Sequence, residues 1–283
     1  MSIACLNGAF LPLEDARISP LDRGFLFAEG IYEVAAVIDG KLIDSASHLA
    51  RLERSTGAIG IALPMPLKEI EAMQKELIAR NALTQGMVYL QTTRGADRSR
   101  DFLAPADLSP TLFLFVQHKD FLDTPAAREG IAVATMPDLR WQRRDIKSVG
   151  LLAQVMAKQA AHDAGAQEAW MVEDGFVTEG ASSTAFIVTD EGIVTRPYSH
   201  AVLAGCTATA INALATESGI AVVRRSFTVA EALAAKEAFI TSASTLCQSV
   251  VRIDGQAIGE GRPGPLATRL RSLYIDFARQ TAV

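Results

Sequence analysis

Arg140-Trp141-Gln142-Arg143-Arg144-Asp145-Ile146-Lys147-Ser148 and Val177-Thr178-Glu179-Gly180-Ala181-Ser182-Ser183, with Glu179 thirty-two residues beyond Lys147, are the runs on which the reading of this 283-residue chain turns. Taken singly, neither says much. A lone lysine is by default a solvated surface charge. A turn glutamate is by default a solvated carboxylate, or a charge placed at a helix start. Together they offer what a ring aldehyde with a basic ring nitrogen requires. The amine condenses with the aldehyde, and the anion keeps the ring nitrogen protonated and electron-withdrawing. The polar–apolar order Asp145-Ile146-Lys147-Ser148-Val149 just ahead of a helical stretch strengthens the pairing.

Downstream of Lys147, Leu151 to Ala164 reads as an alanine-rich helix. A strand over Glu168 to Val172 follows, then a turn at Glu173-Asp174-Gly175 and sheet again at Phe176-Val177 and Thr184 to Thr189. Gly205 to Ser218 forms a helix entered through glycine, and Gly219 to Val223 a strand after its cap. Strands at Ala238 to Thr241 and Ser249 to Ile253 precede a final helix from about Gly264 to Gln280. Upstream, Ile31 to Ile38 is a strand turning through Asp39-Gly40 into Lys41-Leu42-Ile43. Ser45 to Thr56 and the stretch after Pro66 are helical, and Met87 to Thr93 and Thr111 to Gln117 are strands. An arginine-rich loop, Arg94 to Ser109, lies between the last two. The elements interleave without regular βαβ spacing, which predicts an α+β chain. A small N-terminal α/β domain (1–118), an interdomain linker (119–125) and a larger C-terminal cofactor-binding domain (126–283) are expected.

Composition narrows the partners. Apolar residues make up 49% and charged residues 21%, ordinary for a globular enzyme. A net charge of −5 argues against nucleic acid or an anionic membrane as the main partner. The first residues carry no basic-then-apolar export pattern. Cys5, Cys206 and Cys247 are odd in number and far apart, which predicts reduced thiols in a cytoplasmic protein. The four histidines have no metal-ligand spacing, so no metal is expected.

Other runs suit a phosphate and a carboxylate. Leu203-Ala204-Gly205-Cys206-Thr207 opens a helix beside a hydroxyl, a ready anion site. Thr241-Ser242-Ala243-Ser244-Thr245 offers further hydroxyls and amides, and Arg51 a bidentate guanidinium. Their plain alternatives are a helix cap, a solvated loop and a surface arginine. Arg94, Arg98 and Arg100 form either a solvated loop or a clamp for the carboxylate of a small acid. Tyr32 starts a strand and is ordinary sheet packing by default.

With these runs assembled, the chain resembles the fold type IV pyridoxal-phosphate enzymes, and within them the D-amino-acid transaminases. The runs that carry the resemblance are Asp22-Arg23-Gly24, Gly30-Ile31-Tyr32-Glu33-Val34, His48-Leu49-Ala50-Arg51-Leu52, Arg140-Trp141 with Asp145-Ile146-Lys147-Ser148, and Val177-Thr178-Glu179-Gly180. The resemblance implies a small α/β domain and a larger domain with barrel-like β-structure. It implies pyridoxal 5'-phosphate as cofactor and a homodimer with the site at the subunit interface. Lys147 then attaches the cofactor and acts as acid–base, and Glu179 partners the pyridine nitrogen. Arg51, Cys206, Thr207, Ser242 and Ala243 fall where the phosphate is held, and Leu203 where the ring is supported. Tyr32 falls on the substrate side, and Arg98 and Arg100 where a carboxylate is trapped. Two departures stand out: Arg100 replaces a histidine usual in these transaminases, and Ala243 replaces a hydroxyl. The expected reaction is ping-pong transamination between a D-amino acid and a 2-keto acid. Alternatives in the family are a branched-chain L-amino-acid transaminase, an R-selective amine transaminase and an aminodeoxychorismate lyase. From another class, a non-catalytic small-anion-binding protein stays open.

Overall fold

In the computed structural model, which describes residues 2–283, the chain divides into two compact units. The first holds the residues up to Asp120 together with Ile146–Gly150 and Arg279–Val283. The second holds Phe121–Asp145 and Leu151–Ala278. Residues 146–150 and 279–283, expected with the C-terminal domain, thus lie in the first unit.

The first unit contains β1 (Ile3–Leu6), β2 (Ala9–Pro12), α1 (Arg23–Phe27), β3 (Gly30–Ile38), β4 (Lys41–Leu42), α2 (Ser45–Ala58), α3 (Leu67–Arg80), β5 (Gln85–Thr93) and β6 (Thr111–His118). Its strands form one antiparallel sheet in the order β2-β1-β6-β5-β3-β4. Asp39 and Gly40, at φ 52° and 75°, make the tight hairpin between β3 and β4 that their residue types predict. In β6, Leu112, Leu114 and Val116 point into the core while Phe113 and Phe115 are half-buried. The core packs these residues against Leu49 and Leu52 of α2 and Ile70, Leu77 and Ile78 of α3. Helix α3 buries Ile70, Gln74, Leu77 and Ile78, the i, i+4, i+7, i+8 stripe of an amphipathic helix. Helix α2 departs from that rule, because its buried side also carries His48, Arg51, Ser55 and Thr56.

The second unit contains α4 (Pro125–Glu129), β7 (Ile131–Pro137), α5 (Leu152–Asp163), β8 (Glu168–Glu173), β9 (Phe176–Gly180), β10 (Thr184–Thr189), β11 (Gly192–Thr195), α6 (Cys206–Glu217), β12 (Val222–Arg224), α7 (Val229–Leu233), β13 (Glu237–Ser242), β14 (Leu246–Ile253), β15 (Gln256–Ala257) and α8 (Pro265–Thr281) except for its last residues, 279–281, which belong to the first unit. Eight strands run β12-β11-β10-β13-β14-β7-β8-β9, with β15 on β14. Most pairs are antiparallel, but β7 lies parallel to both β8 and β14, and β11 is parallel to β12. Phe186 and Phe239 face each other across β10 and β13, rings stacked at 4.7 Å. Strand β12 is shorter than its sequence suggests. Gly219 sits at φ 74° and the Ile220 N–H still bonds the Ala215 carbonyl at 2.9 Å, so these residues end α6 and do not begin a strand. All three cysteines are buried and unpaired. Among the described residues no helix is long and apolar enough to cross a membrane.

Candidate active site

Lys147 reaches its place through backbone bonds. Its carbonyl accepts the Tyr32 N–H at 3.1 Å, the Val149 N–H bonds the Gly30 carbonyl at 3.0 Å, and Ser148 bridges Ile31. The segment thus extends the sheet beside the start of β3, anchored by the buried Ile146. The Lys147 Nζ lies 4.1 Å from the centroid of the Tyr32 ring, a cation–π distance.

Arg51 projects from α2 onto Glu33, a carboxylate inside the apolar strand β3. The Nε and Nη2 of Arg51 donate to the two Glu33 oxygens at 2.7 Å each, and His48 Nδ1 lies 2.7 Å from Oε2. Burial alone would raise the Glu33 carboxyl. The Arg51 charge and the hydrogen bonds from Arg51 and His48 outweigh it and hold the group at about 2. The sequence reading singled out Arg51 but missed Glu33 and His48. The signal was present: a glutamate in an apolar strand needs a cation, and His48 and Arg51 are three residues apart on one helix face.

Glu179 ends β9 and is buried in a dense charge network. Arg140 donates to Glu179 through Nη1 and to Asp138 through Nε and Nη2, and its side chain is 6% exposed. Asp138, whose side chain is fully buried, also accepts from Thr178 at 2.6 Å and faces Arg144 at 3.3 Å. Arg144 closes the network on Glu173 at 2.9 and 2.7 Å. The Leu203 N–H lies 3.2 Å from both Glu179 oxygens. Burial pushes the Glu179 carboxyl up, against the pull of Arg140 and of that N–H. The sequence reading quoted Arg140 without a role and missed Asp138.

Two turns with anion-binding chemistry lie in the same unit. Gly205 caps α6 with no side-chain hydrogen bond to the first turn, and Cys206 and Thr207 follow it, both buried. A Cβ at Gly205 would come within 2.9 Å of Thr184 Oγ1, so the helix entry lies tight against β10. Ser242 and Ala243 sit where β13 turns into β14, with the Ser242 hydroxyl 2.8 Å from Thr245 Oγ1. Next to Ser242, the buried Thr241 hydroxyl has no partner. In the first unit, Arg98 and Arg100 are exposed on the loop between β5 and β6. Arg100 lies 5.1 and 5.3 Å from the rings of Phe27 and Phe102.

Comparison with known proteins identifies the family of the chain. Residues 30–253 match the family model for amino-transferase class IV. The chain is 37% identical over 267 residues to a D-alanine aminotransferase of Bacillus licheniformis, covering 94% of this chain and 93% of that protein. A D-alanine aminotransferase of Staphylococcus haemolyticus is 35% identical, with 96% of each chain covered. Among solved structures, the branched-chain amino acid aminotransferase of Escherichia coli superposes with a TM-score of 0.92 at 23% identity, over 98% of this chain and 94% of that one. The branched-chain amino acid aminotransferase of T.th., solved with pyridoxamine 5'-phosphate, gives 0.91 at 25% identity, covering 97% and 93%. This chain belongs to the class IV aminotransferases and is, with them, a pyridoxal-phosphate enzyme of the mixed α/β fold type IV.

Proposed function

We propose that this chain moves the amino group of a D-amino acid, D-alanine foremost, onto a 2-keto acid of the pyruvate or 2-oxoglutarate type. The observation that carries the reading is the likeness to D-alanine aminotransferases, 37% identical along nearly the whole of both chains. Pyridoxal 5'-phosphate, when bound, supplies an electron sink for charge that develops at the substrate's α-carbon.

The residues present fit that cofactor. An α6 entry without a side-chain cap, the Thr207 side chain and the unpartnered Thr241 hydroxyl have the chemistry of a phosphate cradle. Glu179 is a buried carboxylate held rigid by Arg140, suited to a ring nitrogen that carries a proton. In this reading Lys147 would hold the cofactor through its Nζ, and the same amine would carry the proton to and from the substrate α-carbon. Arg51 and the backbone of Cys206, Thr207, Ser242 and Ala243 hold the phosphate, Leu203 supports the ring, and Tyr32 lines the substrate side. Arg98 and Arg100 bind the substrate carboxylate. The working form is a cytoplasmic homodimer with the site at the subunit interface.

A branched-chain L-amino-acid transaminase is the second reading, favoured by the TM-score of 0.91 at 25% identity with the T.th. enzyme. Steady-state rates with D-alanine and L-leucine as donors, each against 2-oxoglutarate, decide between them. The proposal expects D-alanine to be preferred, and preference for L-leucine overturns it.

A further inference from the structure

We propose that Arg23 is a positioning residue for substrate binding: it sets the conformation of the loop that carries Arg98 and Arg100. This rests on the reading of those two arginines as the groups that bind the substrate carboxylate.

The loop runs from Arg94 to Pro110 and contains no helix or strand. Connections this long are costly to order unless something pins them. Residues 98–103, which include both exposed arginines, are all exposed, so the tip has little core of its own. Besides the contact of Phe102 and Arg100 with Phe27, a buried guanidinium holds it. Arg23, 3% exposed, donates from Nη1 to the Asp101 carbonyl at 2.6 Å and from Nη2 to the Phe102 carbonyl at 2.8 Å. Its Nε donates to Glu29 at 2.5 Å, and Asp97 lies 3.7 Å from Nη1. Arg23 also bonds the loop through its main chain, N–H to the Gly95 carbonyl at 2.9 Å.

The root of the loop is tied to the same place. Asp22 accepts from Thr93 at 2.9 Å and from Thr111 at 2.7 Å, one on each flank of the loop. Glu29 is shared between Arg23 and Arg94. The two flanks touch at Gly95, where a Cβ would fall 1.9 Å from the Ser109 carbonyl oxygen. The root is therefore closed by Asp22 and the tip by Arg23. Only a guanidinium presents the fork that reaches two carbonyls and a carboxylate together; a lysine ammonium at this place satisfies a subset. Arg100 lies over the ring pair of Phe27 and Phe102, whose centroids are 5.4 Å apart, and the Phe102 carbonyl is one of the two that Arg23 holds. Releasing Arg23 therefore unseats the aromatic rest of Arg100.

The test uses the holoenzyme. R23M removes the guanidinium while Glu29 keeps its pairing with Arg94, and R23K is the conservative variant to use if R23M does not fold. We expect KM for D-alanine and the inhibition constant for propionate, a carboxylate without an amine, to rise about tenfold, with kcat within about twofold. Amide hydrogen exchange over residues 96–103 should quicken, while the visible absorbance of the bound cofactor stays unchanged. Wild-type KM and wild-type exchange in folded variants overturn the proposal. A fall in kcat at constant KM overturns it as well. R98A/R100A separates this inference from the reading beneath it. If that variant keeps the wild-type KM, the carboxylate-binding role of the loop falls, and the affinity role of Arg23 falls with it. If it raises KM and the Arg23 variants do not, Arg23 alone is misassigned.

Discussion

Lys147 is held by its backbone, through the bonds that tie residues 146–149 to the start of β3, and its amine lies over the face of Tyr32. Glu179 is held through its side chain, by Arg140, by the Leu203 N–H and, at one remove, by Asp138, Thr178, Arg144 and Glu173. The contrast matches the work each group is proposed to do. A lysine that forms and releases a covalent bond and moves a proton needs slack at its tip and a fixed root. A carboxylate that steadies a ring nitrogen acts through preorganisation, so its network must not move.

The largest expected effect breaks the contrast at its mobile end. Lys147→Ala should lower turnover by roughly four orders of magnitude and abolish borohydride-sensitive attachment of the cofactor. Its melting midpoint should stay close to wild type, because among the described residues no side-chain ion pair involves Lys147. Substantial transamination by this variant would contradict the assignment.

Arg140→Met breaks the contrast at its rigid end and should do the reverse to stability. It leaves Asp138 and Glu179 buried without their shared cation, which costs about 3–5 kcal/mol in a urea titration. A loss below about 1 kcal/mol would show that the network is slack.

Glu33 sharpens the comparison, since the first unit has a buried carboxylate of its own. Held at about 2 in the fold against an ordinary value of 4.5, Glu33 contributes about 3 kcal/mol above the ordinary carboxylate range. A depressed carboxyl loses its contribution as the pH falls, here between about 4.5 and about 2. Glu33→Gln should therefore be destabilised at pH 7 and converge on wild type toward pH 2, read by urea titrations across that window. A constant difference would refute the Arg51 pairing. Thr178→Val, the smallest change, removes one hydrogen bond to Asp138 and should cost about 1–2 kcal/mol at neutral pH.

Much of this site is legible from the chain before any fold is known. Lys147 and Glu179 stand in runs that, taken together, resemble those of a known family, and Gly205 with Cys206-Thr207 is a recognisable helix entry. Partners were harder to find. Arg140 reaches Glu179 and Thr178 reaches Asp138 across about 40 positions, and Arg51 reaches Glu33 from another element. Nothing local marks such pairs, because buried ions are matched across the fold and not along the chain.

Periodicity and turn chemistry by themselves determined most helices and strands, and the runs that resemble the fold type IV enzymes pointed to the class of chemistry and to Lys147 and Glu179 as the residues proposed to carry it. These are properties of short windows, and short windows carry them. Only the tertiary structure decided that residues 146–150 lie with the first unit while Asp145 and Leu151 on either side lie with the second. That allocation depends on which strand edge is left with unpaired N–H and C=O groups, and the start of β3 is such an edge. Edges exist only once a sheet has formed.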